Sequence, residues 1–270
     1  LHMKHLLSLA MLSGMTLLVA ASGQLANRKA ESRSFSQWYL ELRAKWLAEA
    51  PRIATEDPLP MIGSTASSTV RATASPKLAP CQLSPSNFLV LGGGGAPAYN
   101  EIAIEKNVLY FQRTLKHLGF NPANATVFFA NGNNGQATVR YIDQQGQERF
   151  KPPQIPHLQG AATRANLQRG LRQAVQSPDR ALFFYFTGHG GENKRNLNNN
   201  AMILWGEDFL SVQQFTQMLD RLPAQTPVVT MMAQCYSGSF ANFIYQGGNP
   251  NRAIALQTRC GFFATVKELP

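Results

Sequence analysis

A histidine and a cysteine with complementary chemistry each lie two residues after an apolar run in this sequence. His189 follows Ala181–Thr187, and Cys235 follows Pro227–Ala233. A nucleophilic cysteine needs an imidazole that takes the thiol proton and returns it to a leaving amine, and it needs N–H groups directed at the developing oxyanion. Gly190 has no Cβ to block such an approach, and the N–H of Cys235 itself is the natural second donor. The pair therefore predicts covalent catalysis by a cysteine.

The apolar runs belong to an alternating series of short strands and helices. The predicted strands are Phe88–Leu91, Thr126–Ala130, Ala181–Thr187 and Pro227–Ala233, with a later one within Ala253–Val266. The predicted helices are Ile102–Leu118, 163–176 and Ser211–Leu222, and a polar insert at 136–157 is typical of a hairpin. This alternation indicates an α/β fold with a parallel sheet that is covered on both faces. Sites in such sheets lie just beyond the carboxyl ends of the strands, which is where His189 and Cys235 are expected.

The segments around these two residues resemble the caspase-like cysteine peptidases, and within them the legumain branch. Phe184–Gly191 is similar to the legumain strand that ends in Tyr-Phe-Thr-Asp-His-Gly, and Ala233–Ser239 is similar to its Ala-Cys-Glu-Ser-Gly-Ser turn. Gln234 is also similar to the glutamine of the caspase Gln-Ala-Cys signature, whose histidine lies about 50 residues upstream. Tyr99-Asn100 resembles the legumain Trp-Tyr-Asn, and the likeness extends over residues 86–266.

This resemblance implies a caspase-like three-layer sandwich, in which helices flank a mostly parallel central sheet. It implies that Cys235 is the nucleophile and that His189 is the general acid/base. It also implies that Gly190 donates to the oxyanion and that Asn100 orients the histidine as a third member. A histidine or a cysteine at a strand end can be structural, but the presence of both in glycine-rich strand ends favours catalysis.

The substrate pocket departs from the family pattern. Legumain's pocket for asparagine uses an arginine and a glutamate at positions that hold Ile102 and Tyr236 here, so cleavage after asparagine is not expected. The family fold also usually adds a strand beyond the one expected within Ala253–Val266, with a loop that lines the first substrate pocket. This gives the hypothesis that the chain and its pocket are incomplete at the C-terminus.

Composition and motif spacing disfavour several other functions. The 270 residues carry a formal net charge of +10, but only 15% are charged and the basic residues form no stripe, so no nucleic-acid partner is expected. Gly93–Ala98 fits the glycine pattern of a dinucleotide loop, yet no acidic residue lies between Glu105 and Asp143 to bind a ribose. His117 and His157 lack metal-ligand spacing, and neither a metal nor an organic cofactor is implied.

The N-terminal residues predict export. The apolar stretch Leu6–Ala21 follows Lys4 and ends in small residues, so residues 1–23 are typical of a signal peptide with cloning residues at its start. This stretch is shorter than the ~20 residues that span a bilayer, so no stable membrane span is expected after signal removal. The mature protein is therefore expected in the periplasm or outside the cell.

A segment of different composition lies between the signal and the catalytic region. Residues 24–80 combine an amphipathic helix at 36–49, with two tryptophans on one face, and a Pro/Ser/Thr/Ala linker at 55–80. The segment is predicted either as a removable pro-segment of a zymogen or as a permanent brace on the far side of the sheet. Residues 81–270 form the predicted peptidase domain.

The three cysteines predict one disulfide. In an oxidising compartment, a chain with one reactive thiol is expected to pair the other two. Cys81 and Cys260 are therefore predicted to bridge, tying the start of the domain to its late strand, while Cys235 stays reduced. The alternative is that Cys260 pairs with a residue beyond position 270.

We therefore expect an exported cysteine endopeptidase that cleaves a protein or peptide substrate through an acyl-enzyme intermediate. Two alternatives stay open at this point. A transpeptidase or ligase of the same fold would resolve the acyl-enzyme with an amine, and a caspase-fold scaffold would bind without turnover. Nothing in the sequence predicts an oligomeric state.

Overall fold

The central sheet of the protein is parallel and is covered by helices. A computed structural model describes residues 86–174, 176 and 180–270. Its strands are β1 (Ser86–Gly93), β2 (Thr126–Phe129), β3 (Val139–Ile142), β4 (Glu148–Lys151), β5 (Leu158–Gly160), β6 (Ala181–Gly188), β7 (Gly190–Gly191), β8 (Ala201–Leu204), β9 (Asp208–Ser211), β10 (Val228–Ala233) and β11 (Arg259–Phe263). Its α-helices are α1 (Ile102–His117), α2 (Arg164–Ala174) and α3 (Val212–Leu219). Six strands form one sheet in the order β11–β10–β6–β1–β2–β5, with every neighbouring pair parallel. The predicted three-layer α/β arrangement is confirmed.

Alternate residues of each strand face opposite layers, which is why the strands read as continuous apolar runs. In β1, Leu89 and Leu91 lie in one buried cluster with side chains of α2 and α3. Phe88 and Val90 lie in a second cluster, on the other face, with side chains of α1. Burying one such side chain stabilises the fold by ~1.5–3 kcal/mol. Two packed faces therefore hold the strand ends, and the residues that follow them, in fixed positions.

Helix α1 matches its predicted span within one residue and fixes the start of one site loop. It ends at His117 because Gly119 has a left-handed backbone, with φ of 85°. The N–H of Leu118 still donates to the carbonyl of Thr114 at 3.0 Å. Glu101 directly precedes the helix, so the packed helix holds this carboxylate near the carboxyl end of β1.

The register of the central strands brings the predicted catalytic pair to one edge. Thr187 in β6 lies opposite Ala233 in β10 and opposite Gly92 in β1. Neighbouring strands are ~4.8 Å apart. His189 and Cys235 each follow this paired row by two positions, so they leave the sheet side by side.

A second, antiparallel sheet that the sequence did not predict follows His189. β7 pairs with β8, and β8 pairs with β9. Gly206 and Glu207, in the turn that joins β8 to β9, both have a left-handed backbone, with φ of 85° and 56°. Strands of two to four residues carry little periodicity, which explains why this sheet was missed.

Other differences concern the ends of elements. The predicted hairpin at 136–157 is confirmed as β3 and β4. Helix α3 begins later than predicted because Ser211 caps it, accepting a hydrogen bond from the N–H of Gln214 at 3.3 Å. The late strand is confined to Arg259–Phe263, inside the wider predicted range, and β5 was not predicted.

Several predictions fall on residues 1–85, which lie outside the described residues. These are the signal peptide, the helix at 36–49, the linker and the Cys81 end of the disulfide. Cys260 is disulfide-bonded and Cys235 is a free thiol, as predicted for these two residues. Within the described part of the chain, no helix is long and apolar enough to cross a bilayer.

Candidate active site

The carboxyl ends of three adjacent strands bring the predicted site residues together. His189 and Gly190 follow β6, Cys235 follows β10, and the loop that carries Asn100 follows β1. β6 lies between the other two strands. The histidine therefore has the cysteine on one side and the Asn100 loop on the other.

The imidazole of His189 is bound through one nitrogen. Its Nε2 lies 2.8 Å from the carbonyl oxygen of Tyr99 and 3.1 Å from Oε2 of Glu101. A carbonyl can only accept a hydrogen bond, so we assign the proton of the neutral ring to Nε2. Nδ1 then carries the free lone pair. This tautomer leaves Nδ1 as the atom that can take a proton from a nucleophile.

Glu101 belongs to a short chain of charges that ends on His189. Its Oε1 accepts from Nη2 of Arg140 at 2.8 Å, and Nη1 of Arg140 donates to Glu148 at 3.0 Å. Burial opposes ionisation of Glu101, but the hydrogen bond and positive charge of His189, with a contribution from Arg140, lower the pKa of its carboxyl. Burial likewise opposes the imidazolium, yet the hydrogen bond and charge of Glu101 raise the pKa of His189. The chain of charges therefore stabilises the imidazolium relative to the neutral ring.

The thiol of Cys235 is surrounded by backbone groups. Burial raises its pKa, while hydrogen bonds from its own N–H and from the N–H of Gly190 act in the opposite direction. Gly190 approaches so closely that a Cβ on it would lie 1.9 Å from the carbonyl oxygen of Cys235. Only glycine fits there. The two predicted oxyanion donors thus converge on the predicted nucleophile.

Asn100 does not make the predicted contact with the histidine. Its Oδ1 accepts from the N–H of Gly94 at 3.2 Å, and its Nδ2 donates to the carbonyl of Thr138 at 3.1 Å. The described structure contains no hydrogen bond between Asn100 and His189, because the buried amide is already occupied on both sides. The neighbouring Glu101 reaches the histidine instead. Asn100 holds the loop that carries both partners of His189.

Close backbone approach also shapes this loop. A Cβ on Gly94 would lie 1.7 Å from the carbonyl oxygen of Tyr99, the same oxygen that contacts His189. The glycine pattern that resembles a dinucleotide loop therefore has a conformational reason here. It lets Tyr99 turn its carbonyl toward the imidazole.

The turn after Cys235 is held by local hydrogen bonds. Tyr236 has a left-handed backbone, with φ of 59°, and its N–H donates to the carbonyl of Leu269 at 2.8 Å. The hydroxyl of Ser237 accepts from the N–H of Thr265 at 3.1 Å. The hydroxyl of Ser239 donates to the carbonyl of Tyr236 at 2.9 Å. Both serines near the cysteine therefore have structural partners.

Two residues of the site were not predicted from the sequence. Glu101 offered a signal, since it is an acidic residue next to Asn100 in a loop already singled out. Arg140 offered none, because it reaches the site from β3 in the hairpin. Among the described residues, no group of three or more His, Cys, Asp or Glu side chains is arranged to hold a metal ion.

Comparisons with known proteins add little to this geometry. No protein-family model and no curated protein matches the chain. Among solved structures, it is similar to the crystal structure of protein GSU0716 from Geobacter sulfurreducens, with 16% identity and a TM-score of 0.37. The match covers 58% of this chain and 53% of that chain, so the chain spans about half the length of that protein. A likeness of this degree carries no argument about function.

Proposed function

We propose that the protein is a caspase-like cysteine endopeptidase in which Cys235 is the nucleophile and His189 is the general acid/base. One observation carries the proposal: Gly190, the residue after the histidine, approaches Cys235 so closely that a Cβ on it would lie 1.9 Å from the Cys235 carbonyl oxygen. This approach brings the N–H groups of Gly190 and Cys235 next to a free thiol. A carbonyl attacked by this sulfur would place its oxygen close to the same two donors. The likeness of both motifs to the legumain branch supports this assignment.

The reaction needs only groups that the site contains, together with water. Nδ1 of His189 takes the thiol proton, and the sulfur of Cys235 forms a bond to the carbonyl carbon of the peptide. The C–N bond then breaks as the imidazolium gives its proton to the leaving nitrogen, which departs as an amine. Water that loses a proton to the imidazole attacks the thioester carbon. The sulfur leaves and regains that proton.

Glu101 has a positioning role in this mechanism. Its carboxylate stabilises the imidazolium that forms when the thiol is deprotonated, and its contact with Nε2 keeps Nδ1 free. Arg140 holds the other oxygen of the carboxylate, so that the oxygen facing the histidine stays in place. Asn100 acts one step further away by fixing the loop.

We also propose that the protein is exported and that residues 24–80 regulate the site as a pro-segment. The alternative for this segment is a permanent brace. Protein beginning at Gln24 and protein beginning at Cys81 should then differ in the rate at which an electrophile labels Cys235. Equal rates for two well-folded proteins would reject regulation and leave the brace.

Peptidase activity can be tested on a complex mixture of peptides. The wild-type protein and the Cys235→Ala variant are incubated with a proteome-derived library, and mass spectrometry identifies new termini. We expect new termini only with the wild type. Equal cleavage by both proteins would overturn the mechanism. Addition of an amine nucleophile distinguishes a transpeptidase, whose products carry the added amine. A Cys235 that does not react with electrophiles near neutral pH, together with no new termini, would favour a scaffold.

A further inference from the structure

We propose that Tyr99, Ile203 and Phe209 form an apolar subsite for the substrate residue on the leaving-amine side of the scissile bond. The inference rests on the proposed function and names the substrate class that the site prefers. Tyr99 and Phe209 are 48% and 55% exposed. Single exposed apolar residues are common, but a group of them beside a reactive centre indicates a binding surface.

Two members form a pair on the solvent face of the small antiparallel sheet. Ile203 in β8 and Phe209 in β9 are register partners. Their neighbours Met202, Leu204 and Leu210 are buried on the opposite face of this sheet. The solvent face of such a sheet usually carries polar residues. The apolar pair is therefore not part of the buried core and can contact a ligand.

This pair is connected directly to the catalytic histidine. The N–H of Ile203 donates to the carbonyl of His189 at 3.0 Å. The ring of Phe209 covers the backbone of Gly191, since a Cβ there would lie 2.7 Å from its Cε1. The ring of Tyr99 meets the imidazole edge to face, with 6.5 Å between ring centroids. All three apolar groups therefore adjoin the imidazole or the residues that follow it.

The strand order decides which half of a substrate reaches this surface. β10, which leads to Cys235, lies on one side of β6, and β1, whose loop leads to Tyr99, lies on the other. A peptide whose carbonyl carbon meets the thiol and whose nitrogen meets the imidazole must continue past β6 toward β1. The residue that follows the scissile bond then comes to lie over the aromatic side chains. The acyl half stays on the β10 side.

The small sheet and the β1 loop form one surface. The N–H of Gly206 donates to the carbonyl of Gly95 at 2.8 Å. A Cβ on Gly95 would lie 2.9 Å from Cγ2 of Ile203. The loop that carries Tyr99 is therefore packed against the sheet that carries the other two members. A leucine, methionine or phenylalanine side chain would bury apolar area on this surface, whereas serine or aspartate would not.

Peptides that differ only in the residue after the cleaved bond test the preference. We expect the wild type to cleave the leucine and phenylalanine peptides with kcat/KM about 10-fold above the serine peptide. Phe209→Ala should remove most of this ratio, mainly by lowering kcat/KM for the leucine and phenylalanine peptides. Tyr110→Ala is the matched control, because Tyr110 is a similarly exposed aromatic residue on α1. An unchanged ratio in Phe209→Ala would overturn the subsite.

A binding measurement separates this inference from the peptidase proposal. The methyl resonance of Ile203 is followed in Cys235→Ala protein while Phe-Ala amide or Ser-Ala amide is added. A shift with the first dipeptide only, lost when Phe209→Ala is added, supports the subsite even if the wild type cleaves no peptide; in that case the peptidase proposal alone fails. The same response to both dipeptides overturns the subsite whatever the cleavage result.

Discussion

The two halves of the candidate site are built by different means. On the histidine side, charged side chains make the contacts: Glu101 binds the imidazole and Arg140 binds Glu101. On the cysteine side, the backbone acts, through the N–H groups of Cys235 and Gly190. A side chain can be replaced by a neutral isostere with little change in shape, but a backbone donor can be moved only by disturbing the chain. Neutralising a single charge should therefore change the electrostatics on the histidine side without changing its shape. The donors on the cysteine side are instead held in place by close backbone packing.

The causes of the pKa shifts follow the same division. Burial lowers the pKa of His189, but the hydrogen bond and charge of Glu101, together with the Tyr99 carbonyl, raise it overall. At Cys235, burial outweighs the N–H groups and raises the pKa of the thiol. A raised pKa disfavours the thiolate in the resting site. In the proposed mechanism the thiolate therefore forms at the moment of attack, when the thiol proton moves to the neutral imidazole.

Removing either reactive side chain should have the largest effect because it breaks both halves at once. Cys235→Ala and His189→Ala are each expected to reduce turnover by a factor on the order of 10⁴ or more, and by similar amounts, since the residues act as a unit. Both side chains lie beyond the strands, so circular dichroism should show an unchanged fold. Turnover that survives in Cys235→Ala would show that another residue attacks the substrate.

Substitution of the close-packed glycine tests the cysteine side alone. In Gly190→Ala, the new Cβ would collide with the Cys235 carbonyl, so the backbone must shift and move an N–H donor. Loss of one oxyanion donor costs about 10²–10³ in kcat. Steady-state kinetics and the melting temperature are measured together. Full activity in a folded variant would remove Gly190 from the proposed oxyanion site.

Neutralising Glu101 tests the histidine side alone, and the chain offers a matched control. Glu101 and Glu148 both bind Arg140, but only Glu101 reaches His189. Glu101→Gln should lower the pKa of His189 in an NMR titration and reduce kcat/KM by up to about 100-fold. Glu148→Gln should change neither. Equal effects of the two substitutions would mean that Arg140, and not the contact with the histidine, accounts for the loss.

The smallest expected effect is on stability. Because the pKa of His189 is raised, the residue stabilises the folded protein fully at pH values below 6.5, the ordinary histidine pKa. This contribution is lost as the pH rises through the folded-state pKa. Because the pKa of Glu101 is lowered, the carboxylate stabilises the folded protein fully at pH values above 4.5, the ordinary glutamate pKa. This contribution is lost as the pH falls through the folded-state pKa.

The free energy of unfolding of the wild type should therefore exceed that of Glu101→Gln by the largest amount between pH 4.5 and 6.5. Both side chains are partly exposed, so the difference should be below about 1 kcal/mol. Urea unfolding across pH measures it. A difference that stays constant with pH would mean that the two charges do not interact in the folded protein.

The parts of the site that lie in local sequence patterns could be predicted. His189, Gly190 and Cys235 each follow an apolar strand closely, so the parallel topology predicted their meeting. The contact with His189 that was predicted for Asn100 is made by the next residue, Glu101, because adjacent side chains leave an extended backbone in opposite directions. Which of the two would face the histidine depended on the loop's conformation.

The features that the sequence analysis missed depend on distant parts of the chain. Arg140 comes from a hairpin whose docking on α1 has no local signature. The pair Ile203 and Phe209 belongs to strands too short to produce a recognisable alternation. Their exposure could be known only once the buried faces of β8 and β9 had been located.

In the proposed mechanism His189 activates Cys235, and the rate of alkylation at this thiol tests that activation most directly. A peptide-like acyloxymethyl ketone is added near neutral pH to the wild type and to His189→Ala, and peptide mapping locates the modified residue. We expect Cys235 to be modified in the wild type and the rate to fall at least about 100-fold in the variant. Equal rates of modification in the two folded proteins would contradict it.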